Sequence, residues 1–394
     1  MSTRLQQEVW ALDRCSGCGG CVAACSKGVL YWGGHEHPDL EERQKSLGLS
    51  RLKLRTCEVC DKFCELSCPR LVEWTPPETL HAVSARSAGV DPRGTPNDLI
   101  QALLVAAHSA ELIDGALVLD MDPWTLQPVA RVVTTVQEIT GTVGMQYLWA
   151  PVLSQLNEAV FDRGLKRIAV VGAPCVAEGV RRLMAAENSR LQPYQKAIRV
   201  SIASFCTGMY RPDMVSQLLG RNLGIAPHQI RSLSISAADE TMRVTLWDGA
   251  ETSVPLTEVQ PFTRHGCGSC RDYLGELADI AVGSVGALPG HATLIAWTPA
   301  GDTLVRNAQA LGLLETIAQV DEAKLNEART AKDRRARAQA FDRFRILMLD
   351  ALGDPKKRIQ VRKQFVNLYG APQAGVSKKE GNSGGCYGCS GAGC

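Results

Sequence analysis

Ile168-Ala169-Val170-Val171-Gly172-Ala173-Pro174-Cys175 reads as a short buried strand that halts at a glycine-proline turn, with a helix expected from about Ala177 to Ala186. The same grammar returns at Ile198 to Ala203, which ends in Phe205-Cys206-Thr207-Gly208 before a helix near Asp213 to Leu219. Strands that stop at small-residue turns and hand over to helices indicate an α/β sheet with a site at the strands' carboxyl ends. Each of these two turns also carries a cysteine.

Working outward, Asp98 is placed to cap an amphipathic helix running to Ile113, and Ala116-Leu117-Val118-Leu119 reads as a buried strand. Further strands are expected at Arg131 to Val136 and Ala278 to Gly283. Met242 to Trp247 and Glu251 to Pro255, joined by Asp248-Gly249, read as a hairpin. From about Asp321 to Arg345 the chain reads as polar helix. Between Asp321 and Lys363 stand thirteen Lys or Arg against seven Asp or Glu, read as a solvated helical face in preference to a docking surface or anionic-cofactor site.

Eight of the fifteen cysteines fall in two runs near the start: Cys15, Cys18, Cys21, Cys25, and Cys57, Cys60, Cys64, Cys68. The first has the C-x2-C-x2-C-x3-C spacing of bacterial ferredoxins, and the second, with one extra residue, closes on Pro69. In two-cluster ferredoxins the fourth cysteine of each run serves the other cluster. The expected shells are therefore Cys15, Cys18, Cys21 with Cys68, and Cys57, Cys60, Cys64 with Cys25. Structural zinc and a disulfide framework are weaker readings, because zinc rarely takes four thiolates so close in sequence and disulfides need an oxidising compartment. His35 and His37 read as loop residues, since the cysteines complete both shells.

Composition narrows the function classes. Lys plus Arg number 43 against 41 Asp plus Glu, so no global charge points to nucleic acid. The first residues lack a basic region followed by an apolar stretch, and the charge-free window Ile280 to Gly301 is broken by glycines, Pro289, His291 and Pro299. The expectation is a soluble, cytoplasmic protein with no direct membrane span, membrane-associated only through a partner complex. No G-x-G-x-x-G stands at a strand-helix turn, and there is no P-loop.

A second cysteine constellation lies in three loops: Gly172-Ala-Pro-Cys175, Cys206-Thr-Gly208 and Gly266-Cys267-Gly-Ser-Cys270. From spacing alone these four are either ligands of one further cubane or ordinary buried thiols. Together with Leu112-Ile113-Asp114-Gly115-Ala116, the segment Gly141 to Leu153 with Tyr147 and Pro151, and Arg271-Asp272 followed by Ala278-Asp279-Ile280-Ala281-Val282-Gly283, they resemble the beta subunits of coenzyme F420-reducing hydrogenases and F420H2 dehydrogenases. That family is similar to archaeal formate dehydrogenase beta subunits and plant 7-hydroxymethyl chlorophyll a reductase. The resemblance spans about Leu99 to Gly286. Where the family commonly has a glycine pair before a threonine, this chain has Arg93-Gly94-Thr95-Pro96-Asn97, and the proline removes an amide that a phosphate would contact.

The resemblance implies that Cys175, Cys206, Cys267 and Cys270 hold a third 4Fe-4S cluster beside an FAD. It implies hydride exchange with coenzyme F420 as substrate, and single-electron transfer to or from other redox subunits. FAD is the natural joint between hydride and one-electron chemistry. Gly141, Thr142, Gly144, Tyr147, Gly172, Pro174, Thr207 and Gly208 are the candidate cofactor contacts, since glycine permits close backbone approach. Arg264 and Arg271 are candidates for the coenzyme's acidic tail. No catalytic triad is expected, because hydride transfer needs orientation more than an acid or base. The alternatives are a ferredoxin-dependent reductase of another substrate, resembling 7-hydroxymethyl chlorophyll a reductase, and a non-catalytic electron-wiring subunit.

The expected fold class is α+β or α/β. A ferredoxin-like domain with two 4Fe-4S clusters (1–73) precedes a linker (74–97) and an α/β domain for FAD and a cluster (98–320). A helical segment (321–374) and a flexible Gly/Cys-rich tail (375–394) follow. The tail's Cys386, Cys389 and Cys394 are candidates for a further metal site.

Overall fold

The computed structural model describes residues 3–34, 36–39, 60–75, 77–79, 81–88, 94–142, 147–236 and 239–369, in compact units of residues 1–340 and 341–394. Cys57, Gly144, His35, Arg93 and the three tail cysteines lie outside the described residues. Eleven strands are described: β1 His81–Ser87, β2 Gly115–Met121, β3 Pro128–Val133, β4 Ile168–Gly172, β5 Ile198–Ser204, β6 Ile230–Ser236, β7 Thr241–Leu246, β8 Glu251–Pro255, β9 Ile280–Gly283, β10 Ala292–Ala296 and β11 Leu314–Ile317. Eight form one sheet in the order β11-β1-β10-β9-β5-β4-β2-β3, and β6-β7-β8 make a separate antiparallel meander.

The middle of the large sheet is parallel, β9-β5-β4-β2, as the two strand-turn-helix segments require. Side chains alternate between two cores. Leu117, Leu119, Ile168 and Val170 pack on the helix Pro174–Met184, while Ala116, Val118, Ala169 and Val171 pack on Pro96–Ser109 and Pro299–Ala310. The meander and the helical segment Val215–Asn222 close a third core around Met242, Val244 and Leu218. Among the described residues no helix is long and apolar enough to cross a membrane.

Several boundaries move for local reasons. Thr95, not Asp98, caps the first long helix: its hydroxyl accepts from Asp98 N at 3.3 Å, and Pro96 takes the first turn, where an N–H is dispensable. The strand read at Arg131 to Val136 stops at Val133, because Thr135 and Glu138 form a reciprocal capping box for the next helix, Val136–Thr140. The helix after β4 begins at Pro174 rather than Ala177, again with proline in the first turn.

The segment 74–97 is not merely a linker. Residues 81–87 form β1, paired antiparallel with both β10 and β11. Its mixed, small side chains (His-Ala-Val-Ser-Ala-Arg-Ser) carry little strand signal, so partners more than 200 residues away decide its conformation. Nor does the cysteine-bearing N-terminal segment stand apart from the sheet. Cys18, Ala23, Ala24 and Phe63 join the core on the β4 face. Cys18 O accepts from Leu153 N at 2.8 Å, and Ala23 O from the Tyr194 hydroxyl at 2.9 Å.

Close backbone approach fixes this seat. A Cβ added at Gly266 would stand 1.9 Å from the carbonyl oxygen of Cys15, so the loop carrying Cys267 touches the first cysteine run directly. At Gly268 the added atom would meet the tip of the Gln339 side chain at 2.6 Å, and a flexible side chain moves aside more easily than backbone. Gly266→Ala is expected to destabilise the protein by about 1–3 kcal/mol, as overpacking usually does, with Gly268→Ala clearly milder. Thermal denaturation of the two variants checks the order, and equal midpoints would contradict this packing.

Candidate redox site

The described N-terminal cysteines separate into two groups. Cys15, Cys18, Cys21 and Cys68 line one cavity with Leu5, Val9, Trp10 and Trp32. Cys25, Cys60 and Cys64 line a second with Leu30 and Phe63. The grouping crosses the sequence runs: Cys68 leaves its own run to join the first group, and Cys25 leaves the first to join the second. His37 stacks on Trp10 at 4.9 Å, and its Nδ1 lies 3.0 Å from Pro38 O.

A third group gathers at the strand ends. Cys175 enters the first turn of the Pro174–Met184 helix after β4, and Cys206 follows β5. Cys267 sits in the short helix His265–Gly268, with Cys270 just beyond it. The four thiols feel one another's charge. Burial is the main reason that the thiols of Cys175, Cys206 and Cys267 are raised, and Cys206 is pushed up to about 12.

Backbone amides point at these sulfurs. The N–H of Gly17 serves Cys15, that of Gly20 serves Cys18, and that of Arg70 serves Cys68. In the third group Gly208 N–H serves Cys206, and Met209 N lies 3.4 Å from Cys267 Sγ. Amide donors aimed at sulfur stabilise thiolate over thiol, which suits a metal-bound cysteine.

Charged side chains join the groups. Arg70 is ion-paired with Glu178 at 3.1 Å, both largely buried. The Arg70 guanidinium also hydrogen-bonds Cys270 and lies within electrostatic reach of Cys175, Cys68 and Cys15. Burial works against its charge, but Glu178 and the cysteines hold its pKa above the ordinary range. Burial raises the Glu178 carboxyl, against the pull of Arg70. The first and third cysteine groups are therefore neighbours, with this ion pair between them.

Arg264 is corrected by the structure. It is 1% exposed, its guanidinium carbon stacks over Trp149 at 4.0 Å, and it donates to Ser16 O at 2.7 Å and Glu36 O at 2.6 Å. A guanidinium so committed is a structural clamp, not a contact for a coenzyme's acidic tail. Arg271 remains at the surface, paired with Asp333.

The other candidates fare unevenly. Gly141 follows the Val136–Thr140 helix as its C-cap, and Thr142 is buried with its hydroxyl donating to Ile139 O at 2.9 Å. At Gly172 a Cβ would meet Val176 at 2.7 Å, so this glycine already serves strand-helix packing, and Pro174 starts the helix. Thr207 and Gly208 lie on the cysteine loop itself. Tyr147 adopts φ 63°, a left-handed conformation unusual for a bulky residue, while its carbonyl accepts from Tyr210 N at 2.8 Å. Arg70, Glu178, Trp149 and Lys332 escape a reading of the sequence. Only the adjacency of Arg70 to Cys68 and of Trp149 to Tyr147 offers a signal.

Residues 83–157 match the amino-terminal family model of the coenzyme F420 hydrogenase/dehydrogenase beta subunit, and residues 165–322 match the carboxyl-terminal model of the same beta subunit. An uncharacterised protein of Methanocaldococcus jannaschii is 30% identical over 80% of this chain and 92% of its own. The coenzyme F420 hydrogenase subunit beta of Methanosarcina barkeri is 30% identical, over 59% of this chain and 80% of its own. The fold is similar to that of a chain in the F420-reducing NiFe hydrogenase complex from Methanosarcina barkeri, with a TM-score of 0.62 and 24% identity over 70% of this chain and 96% of that one. The chain belongs to the coenzyme F420 hydrogenase/dehydrogenase beta subunit family, and so to the oxidoreductases.

Proposed function

We propose that this protein exchanges hydride between coenzyme F420 and a bound FAD, and passes single electrons through three 4Fe-4S clusters to or from a partner redox subunit. The observation that carries the reading is the contiguity of the three cysteine groups, with Arg70 within reach of two of them. A relative named as an F420 hydrogenase subunit supports the substrate and the existence of partner subunits.

The donor sets fit cubane clusters. Cys15, Cys18, Cys21 and Cys68 would hold the first, Cys25, Cys60 and Cys64 with Cys57 the second, and Cys175, Cys206, Cys267 and Cys270 the third. Among the described residues no three His, Cys, Asp or Glu side chains close around a point as one metal ion requires. In a cubane each thiolate binds its own iron, so the sulfurs stand further apart than around a lone zinc ion. The amide donors aimed at Cys15, Cys18, Cys68, Cys206 and Cys267 favour the charged sulfur in all the groups they serve.

Bound FAD would supply the conversion between a hydride pair and single electrons. Thr207 and Gly208, on the Cys206 loop, together with the strained turn at Tyr147, are the residues best placed to flank it. Gly141 and Gly172 have sufficient roles in helix capping and packing. The protein's task in this reading is positioning: the strand-end loops would hold the flavin beside the third cysteine group, with the buried Arg70–Glu178 pair between that group and the first.

Cys270→Ser is expected to lower the iron content of the anaerobically purified protein by up to about four atoms per chain, without removing the N-terminal clusters. Iron analysis with cluster spectroscopy checks this, and unchanged iron would remove the third cluster from the account. With flavin fully loaded, reduced F420 should bleach the flavin absorbance as oxidised F420 appears. No F420-dependent change would refute the substrate assignment, and reduction of a tetrapyrrole instead would favour the reductase alternative.

A further inference from the structure

The basic helix Glu322–Asp350 begins as a strap over the third cysteine group. Arg329 pairs with Glu276 at 2.7 Å, Asp333 with Arg271, and Arg335 donates to Thr207 O. Lys332 does something different. It is 5% exposed, and its ammonium donates to Cys206 O at 2.5 Å and to Asp272 O at 2.6 Å. Lysine is almost never buried so fully without a counter-charge. Here both hydrogen bonds go to main-chain carbonyls, which orient the ammonium and leave its charge unneutralised.

The negative groups within reach are the cysteines and the carboxylates of Asp272 and Glu178. Burial opposes the ammonium, but Cys270, Cys206, Cys267 and Asp272 together hold its pKa above that of ordinary lysine. The Asp272 carboxylate accepts from Gly275 N at 2.7 Å, and only its carbonyl is hydrogen-bonded to the lysine, so its charge acts on the ammonium without a direct bond. The family match ends at residue 322, so Lys332 lies beyond the segment that defines the family.

We propose that Lys332 is a built-in counter-cation that raises the reduction potential of the centre held by Cys175, Cys206, Cys267 and Cys270. The proposal rests on that group holding a 4Fe-4S cluster. Reduction adds one electron and no proton, so the centre gains one negative charge in a poorly screened interior. A fixed cation nearby stabilises the reduced form more than the oxidised one. Lys332 acts as a positioning and tuning residue, since it touches the loops that hold the cluster and not the substrate.

The test is a potentiometric titration of the full-length, cluster-loaded protein, following by electron paramagnetic resonance the signal that Cys270→Ser abolishes. Lys332→Gln keeps an N–H donor toward the two carbonyls without the charge, Lys332→Met removes both, and Lys332→Arg keeps the charge. The expected result is a midpoint shifted to more negative potential in the Gln and Met variants at unchanged iron content, with the Arg variant close to the parent. An unchanged midpoint in either neutral variant that retains its iron would overturn the proposal. Loss of the cluster from both neutral variants would overturn it too, in favour of a purely structural pin. If Cys270→Ser abolishes no signal and loses no iron, the cluster reading fails first, so the two failures are distinguishable.

Discussion

Arg264 places a guanidinium, almost wholly out of water, between the loop that carries Cys267 and the first cysteine run. Burying an arginine is unfavourable unless its donors are satisfied and its charge is accommodated. The carbonyls of Ser16 and Glu36 take its two terminal nitrogens and the face of Trp149 accommodates its charge, while Nε, 4.0 Å from the Glu36 carboxylate, is buried without a hydrogen bond. Trp149 in turn donates to Gly17 O at 2.9 Å. The absence of a side chain at Gly17 permits this approach, because a Cβ there would overlap both the arginine and the tryptophan. Through this clamp the N-terminal cysteines become part of the sheet's site instead of a tethered module, and the neighbourhood of the first and third cysteine groups follows from it.

The parts of the fold that are legible in the sequence are those set by local chemistry. Ile168 to Gly172 is an apolar run and Ile198 to Ala203 a largely apolar one interrupted by Arg199 and Ser201, and both form parallel strands followed by a cysteine. The crosswise partition of the N-terminal cysteines is the expectation that two-cluster ferredoxins set, and the described members line two cavities in those groups. What is not legible depends on distant partners. β1 has no pattern of its own and is held by β10 and β11, so a stretch rich in small and turn-forming residues reads as linker. Arg264 invites assignment to a coenzyme because charge near a cysteine motif looks functional, whereas the carbonyls it donates to lie more than 220 residues away. Lys332 sits in a helix whose polar composition reads as solvated, and only tertiary contact shows which lysine turns inward.

Three kinds of cation thus surround the cysteines, with different work. Arg264 is hydrogen-bonded to the carbonyls of Ser16 and Glu36, stacks on Trp149 and holds segments together. Arg70 is paired with Glu178 and stands between two cysteine groups. Lys332 is bonded only through main-chain oxygens and so retains its charge. Several of the chain's cations are internal and answer to sulfur.

The central claim is that electrons from reduced F420 cross the flavin, enter the Cys175–Cys270 centre and leave by the N-terminal clusters. Rapid freeze-quench electron paramagnetic resonance after mixing with reduced F420 tests it most directly, comparing the parent protein with Cys270→Ser. The account predicts reduced N-terminal cluster signals in the parent within a turnover, and in the variant a flavin that is reduced while those clusters remain oxidised. N-terminal clusters that fill at the parent's rate in the variant would contradict it.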